Sequence, residues 1–289
     1  MMEARVQRRV QRYGWDLAAA DYERLWQSQL ERAQTRLLDC AWPMRGEHVL
    51  DVACGTGLVS LAAAMSVRPE GHVTGVDISG RMVDRARIRA KERHVSNVSF
   101  QCMDAENLDF SDGSFDVVLC ALGMMYLPDP AKALREMARV LRPGGRIALA
   151  VWGERERCGW SGVFPIVDAE VASDVCPLFF HLGGEGTLAL ECSDAGFGSI
   201  EEYRLDTTLD YADADEACRA AFIGGPMALA WSRFDEATRA KVWRRYAASI
   251  AKWRHGRGYR VPGEFVVVRA MAPAAVRSPV RSTLEKATP

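Results

Sequence analysis

Three aspartates stand at or near the ends of three short apolar runs. Asp51 lies in "VLDVACGTG", Asp77 closes "HVTGVD", and Asp104 follows "VSFQCM". Runs of this length and composition read as buried strands. In an open α/β sheet, the carboxyl ends of the strands are where ligands bind. Asp77 follows Gly57 by about twenty residues, the spacing at which a carboxylate accepts hydrogen bonds from ribose hydroxyls. Asp104 can accept from an adenine amino group while the amide of Ala105 donates to the ring. After Asp51, Gly55 and Gly57 let the backbone turn sharply and approach a ligand without a Cβ clash. The helix starting near Leu58 aims its amides at the same point, which favours an anionic group such as a carboxylate. A dinucleotide fold asks for a third glycine where this chain has Ser60, which weakens a nicotinamide reading. Met82 offers a soft thioether either to an adenine face or to the core.

These residues need a scaffold that brings the strand ends together. The pattern predicts strand 48–52, helix 57–66, strand 72–76, helix 80–93, strand 97–102, strand 115–120, helix 130–141 and strand 145–151. Such alternation predicts a mostly parallel sheet buried on both faces by helices. Residues 15–42 read as one helix with Leu17, Leu25, Leu30, Leu37 and Leu38 as its apolar positions. "LRPGG" reads as a tight turn before the 145–151 strand. Residues 153–184 show no clear period. Helix 186–195, strand 199–209 and a helical stretch 213–255 follow, the last broken at Gly224–Pro226. The strand 259–271 carries Pro262 and Gly263, which predict a bulge. Residues 273–289 read as disordered.

The ordered set "VLDVACGTG", "GVDIS", "MDAENLDF", "FDVVLCALGMMYLPD" and "LREMARVLRPGGRIALAVW" resembles the class I S-adenosylmethionine-dependent methyltransferases. Within them it is similar to the C-methyltransferases of ubiquinone and menaquinone biosynthesis, strongly over residues 45–152. The resemblance implies a Rossmann-like, doubly wound, mostly parallel seven-stranded sheet with an antiparallel last strand and helical cap insertions. It implies that Asp51, the backbone of Ala53, Gly55 and Gly57 hold the methionyl end of S-adenosyl-L-methionine. Asp77 would take the ribose, with Ile78 and Met82 beside the adenine and Asp104 and Ala105 at its edge. The backbone at Cys120 and Ala121 would floor the site near the sulfonium, and Tyr22 would lie over the cofactor. S-adenosyl-L-homocysteine is then the product. Displacement at a sulfonium methyl mainly requires alignment, so a general base is needed only where the nucleophile must lose a proton. No catalytic residue is assigned; Tyr13, Tyr22, Tyr126 and His181 are candidate bases.

The implied organisation is an N-terminal helical cap at 1–44 and a cofactor-binding domain at 45–272. Cap insertions fall at about 153–184 and 212–256, and the tail is 273–289. The cap segments are rich in rings: Tyr13, Trp15, Tyr22, Trp26, Trp160, Phe164, Phe179, Phe180, Phe222, Trp231 and Phe234. An aromatic cover suits an apolar or planar small molecule. Glycines 183, 184, 224 and 225 are candidate hinges for its closure.

The composition narrows the function classes. The chain has 289 residues, 48% hydrophobic and 26% charged, with a net charge of −1. That balance gives no electrostatic case for nucleic acid as a partner. The basic run "RVQRRVQR" (Arg5 to Arg12) reads as the solvated face of a helix. The stretch "VWRRYAASIAKWRHGRGYR" invites a nucleic-acid reading, but its charges fall among acidic neighbours. No apolar run predicts a membrane span and no secretory signal is read, which points to a cytoplasmic location. The eight cysteines show no metal-ligand spacing with histidine, so no metal is expected. Cys54, Cys102 and Cys120 read as small core residues. A homodimer is possible. The expected reaction is methyl transfer to a small molecule; the alternatives are an RNA or protein methyltransferase and a non-methylating cofactor-binding member of the fold.

Overall fold

The computed structural model describes residues 4–171 and 179–272. The apolar runs form β1 (His48–Val52), β2 (His72–Asp77), β3 (Val98–Cys102), β4 (Phe115–Ala121) and β5 (Leu141–Trp152). Further along the chain come β6 (Gly198–Tyr211), the two-residue β7 (Arg254–His255) and β8 (Gly258–Met271). The sheet order is β3-β2-β1-β4-β5-β8-β6, with β7 paired to β8. β1 to β5 are parallel, while β8 runs antiparallel to both its neighbours. Central strands are buried on both faces: Val49, Leu50, Val117, Val118, Leu119, Ala148 and Leu149 are all inaccessible. This explains why they read as continuous apolar runs rather than alternating ones.

Helices α3 (Leu58–Ser66), α4 (Gly80–Glu92) and α5 (Pro130–Val140) connect the parallel strands. Ser79 caps α4 and Asp129 caps α5, each side chain accepting a backbone N–H three residues on. Pro130 opens α5 at a position where no N–H is needed.

The structure corrects several expected boundaries. The single helix over 15–42 is two, α1 (Ala4–Ala18) and α2 (Tyr22–Ala41). α1 buries Gln11, Gly14 and Ala18, whereas α2 buries Leu25, Trp26, Leu30, Ala33 and Leu37. α1 packs on α4 and on α9 (Ala228–Arg233), and α2 on β5 and β8. The break at 19–21 lets the two helices face different partners, and Leu17, expected in the core, is exposed. β5 already begins at Leu141, with a register shift opposite Phe115 and Val117, so "LRPGG" is an irregular strand start. No bulge occurs at Pro262 and Gly263, which pair in continuous register with Thr208 and Thr207. Pro262 lies beyond the last β5 pair, Trp152 with Phe265, so one edge of β8 is unpaired there and a missing N–H is tolerated. The register shift falls instead between Gly198 and Glu201.

The 153–184 stretch is more ordered than its lack of period implied. It holds short 3-10 turns and α6 (Val163–Asp168), with 172–178 outside the described residues. The disorder expected of 273–289 also falls outside them. α7 (Thr187–Asp194) precedes β6. The 213–255 stretch becomes α8 (Ala214–Phe222), α9 and α10 (Glu236–Ser249). In it, Phe222 stacks on Trp231 at 5.2 Å and meets Tyr246 edge-on at 5.6 Å. Lys241 and Arg245 pair with Glu170. Tyr246 and Arg245, from the stretch that invited a nucleic-acid reading, thus take part in packing and in an ion pair.

Candidate functional site

The loops after β1 and β4 meet in strained backbone. Ala53 and Leu122 both hold positive φ, 55° and 62°, which non-glycine residues rarely adopt. A Cβ on Gly123 would stand 2.4 Å from the Ala53 Cβ, so only glycine allows the two loops to touch. Strain of this kind costs on the order of 1–3 kcal/mol per residue and gathers at functional sites. Beside it a cleft of about 730 Å³ opens at the carboxyl edge of the sheet.

The cleft gathers nine of the twelve residues named from the sequence. Ala53, Gly55, Asp77, Ile78, Met82, Asp104, Ala105 and Ala121 line it from the strand ends, and Tyr22 from α2. Asp51, Gly57 and Cys120 are not on its surface. Asp51 is buried behind the turn, where it accepts a hydrogen bond from Ser60 Oγ. Gly57, with φ 80°, makes room for the Phe100 ring, which stands 3.0 Å from where its Cβ would be. Its absent side chain therefore serves packing under the turn. Cys120 is a buried thiol, as is Cys54, whereas Cys102 is exposed because β3 is an edge strand.

Three further lining residues come from α1: Arg8, Gln11 and Trp15. Arg8 lies 3.1 Å from Asp104 and also pairs with the buried Glu106. Glu106 accepts a second hydrogen bond from the Asp129 amide at 3.1 Å. At the other end of α1, Asp16 accepts from Ser79 Oγ at 2.6 Å and from the Arg81 amide at 3.2 Å. α1 is thus tied across the cleft to the loops after β2 and β3. The basic run expected on a solvated face supplies one of those ties. Positions 8, 11 and 15 fall on one helical face, but Arg and Gln there hide it from a search for apolar periodicity.

Burial sets the electrostatics. Asp51 is pushed up to about 7, chiefly by desolvation, with the Ser60 hydroxyl pulling against it and the Asp77 charge adding to it. Asp77 is pushed up to about 6, again chiefly by burial, opposed by the amides of Ser79 and Gly55. Those amides donate at 2.9 Å, one to each Asp77 oxygen. Each oxygen keeps a further lone pair for a ligand hydroxyl. Burial also drives the Tyr22 phenol well above its ordinary range, so it is a poor base near neutral pH.

A second, smaller chamber of about 320 Å³ adjoins the first. Trp15, Tyr22, Leu122 and Tyr126 line both. Trp15 stands edge-on to Tyr126 at 5.0 Å and to Tyr22 at 5.7 Å, forming an aromatic partition. The far walls are Trp26, Leu30, Trp152, Trp160 and Pro226. Of the other candidate bases, Tyr13 is exposed on α1 and His181 is exposed on its turn, and neither lines a chamber described here. Phe164, Phe179 and Phe180 pack around Trp160 and brace the wall.

The residues fit a methionyl nucleoside. Asp51 Oδ1 is buried with no hydrogen-bond partner, which suits an ammonium. At Gly55, φ 54°, a side chain would face only the Tyr22 ring at 3.9 Å, leaving a bare backbone cradle. Asp77 retains acceptor capacity for a ribose, and Ile78 and Met82 give an apolar flank.

Comparison with known proteins agrees. A family model described as a methyltransferase domain matches residues 44–160. Aklanonic acid methyltransferase DauC of Streptomyces sp. strain C5 is 37% identical over 156 residues, covering 54% of this chain and 69% of that protein. Demethylmenaquinone methyltransferase of Listeria welshimeri is 42% identical over 120 residues, covering 42% of this chain. That match spans about half the relative's length, 51%. The crystal structure of the cyclase SpnF aligns with a TM-score of 0.57 at 24% identity, covering 86% of this chain and 83% of that one. The chain belongs to the class I S-adenosylmethionine-dependent methyltransferases, in the branch of the ubiquinone/menaquinone C-methyltransferases. Membership of that class makes S-adenosylmethionine its cofactor.

Proposed function

We propose that the chain transfers a methyl group to an apolar or aromatic small molecule held in the chamber beside the cofactor cleft. The carrying observation is the shared wall: Trp15, Tyr22, Leu122 and Tyr126 face both spaces. S-adenosylmethionine would supply its sulfonium methyl to the acceptor's nucleophilic atom, the new bond to the methyl carbon forming as the carbon–sulfur bond breaks and S-adenosylhomocysteine departs. Asp51 and the Ala53–Gly57 turn hold the methionyl end, Asp77 the ribose, Ile78 and Met82 the adenine face, and Asp104 with Ala105 the adenine edge. Cys120 and Ala121 contribute backbone near the sulfonium, and Tyr22 covers it. The ring partition fixes the acceptor's approach and keeps water away, where effective alignment is the largest source of rate. DauC and demethylmenaquinone methyltransferase, whose names specify small-molecule acceptors, support this class.

Residues 45–272 serve as the cofactor domain, with 1–44 and the two insertions as its cap. Nucleic acid is not a partner, and a homodimer is compatible with this assignment. A cytoplasmic location is consistent with the seven described cysteines, all of them free thiols. The test is incubation with S-adenosylmethionine carrying a labelled methyl and, in separate reactions, uncharged phenols and quinols, total RNA and a protein extract. Label should enter the small ring compounds. Label in RNA or protein alone would overturn the assignment.

A further inference from the structure

Among the described residues, the chamber's lining contains no carboxylate, guanidinium, ammonium or imidazole. A charged acceptor would lose its water there without gaining an ionic partner. Two indole N–H groups, however, are left over, those of Trp26 and Trp160. The Trp26 indole Nε1 is buried and has no hydrogen-bond acceptor. Trp26 as a whole is 6% exposed. A Cβ on Gly225 would stand 3.4 Å from that nitrogen, which places the N–H against the turn whose next residue, Pro226, walls the chamber. Glycines 224 and 225 matter here for closeness. Neither has positive φ, and a Cβ on Gly224 would lie 2.7 Å from Leu25 Cδ1. They let the turn press against α2. The Trp160 Nε1 also has no partner at hydrogen-bond distance, but it has the Cys158 sulfur beside it as a weak acceptor.

A buried donor without a partner costs more than a satisfied one gains, so it is a strong selector for a ligand that brings an acceptor. We propose that the Trp26 indole N–H anchors the acceptor molecule by donating to an oxygen of an uncharged, planar ring compound in the aromatic chamber. Trp26 is then a specificity-determining residue rather than a catalytic one. The ring faces give area to a flat molecule, and the N–H selects a carbonyl, phenol or ether oxygen over a hydrocarbon of the same shape. An ammonium, though attracted to ring faces, brings donors where a donor already stands. This rests on the chamber's being the acceptor site.

The test uses equilibrium binding to the full chain with S-adenosylhomocysteine present. The probes are 2-naphthol, its isostere 2-methylnaphthalene and the cationic 2-naphthylmethylammonium. Wild type should bind 2-naphthol about fivefold more tightly than 2-methylnaphthalene, the scale of one neutral hydrogen bond. Trp26→Phe keeps a ring and removes the N–H, so the preference should fall to about one while 2-methylnaphthalene binding holds. Trp152→Phe should retain the preference. Should Trp26→Phe fail to fold, the wild-type ratio and the assigned Trp26 indole N–H resonance decide, the latter moving downfield with 2-naphthol and not with 2-methylnaphthalene. A wild-type ratio near one, a ratio unchanged in folded Trp26→Phe, an unmoved resonance, or tighter binding of the ammonium probe would each overturn the anchor. Methyl transfer is not read here. A chain that discriminates the probes but methylates nothing would refute the proposed function and leave the anchor standing.

Discussion

Asp51 carries a burial cost that the proposed contact with the cofactor's ammonium would relieve. Its folded value of about 7 and the value of about 6 at Asp77 both lie above the ordinary 3.9 or so of an unfolded aspartate. Between those limits the folded chain holds protons that the unfolded chain has lost. Stability from this source is whole below pH about 4 and is lost as pH rises through 6 and 7. The chain without cofactor should therefore weaken over that window, with Asp51 contributing on the order of 4 kcal/mol. In urea melts, Asp51→Asn should flatten the loss between pH about 4 and 7. An unchanged slope would remove Asp51 as its cause. A ligand ammonium needs the carboxylate ionised, so cofactor binding near pH 6.5 should release protons, seen as a calorimetric heat that changes with the buffer. In Asp51→Asn that release should shrink and affinity should fall by about 1.5–3 kcal/mol, the range for a hydrogen bond to a charged group.

α1 is the element whose role the residue pattern concealed. The strands were legible because a parallel sheet buried on both faces demands continuous apolar runs. The strand-end acids were legible because their positions follow from those runs. α1 obeys neither rule. It reaches the cleft through Arg8, Gln11 and Trp15, and it is tied by polar pairs between segments far apart in the chain, Arg8 with Glu106 and Asp16 with Ser79. Long-range pairs leave no local signal. Pro262 failed in the opposite sense, because the local rule for a bulge holds only where both strand edges are paired. Since α1 is fixed at two places, ligand occupancy of the cleft should slow hydrogen exchange over residues 4–18. Arg8→Ala combined with Asp16→Ala should raise proteolysis of α1 and cost about 1 kcal/mol of S-adenosylhomocysteine affinity for each tie lost. Exchange in α1 that ignores the ligand would make it a static wall.

At the scale of the molecule, one sheet edge serves two spaces. The cofactor cleft is built by the loops after β1 to β4. The chamber proposed for the acceptor is built mostly by what lies outside those loops: α2 (Tyr22–Ala41), Trp152, Trp160 and the turn at Pro226. The matched family model stops at residue 160, so the chamber's far wall at Pro226 is outside it. This is why the motifs speak for the cofactor and say little of the acceptor. The central claim is that the strand-end carboxylates hold S-adenosylmethionine, and its most direct test is calorimetric titration with S-adenosylhomocysteine of wild type and of Asp77→Ala at one pH. Wild type should bind with one site per chain. Asp77→Ala should keep its fold and lose roughly 1.5–3 kcal/mol of affinity, about ten- to a hundredfold. No heat with the wild type would contradict the account of the cleft, and equal affinity in the two proteins would contradict the role given to Asp77.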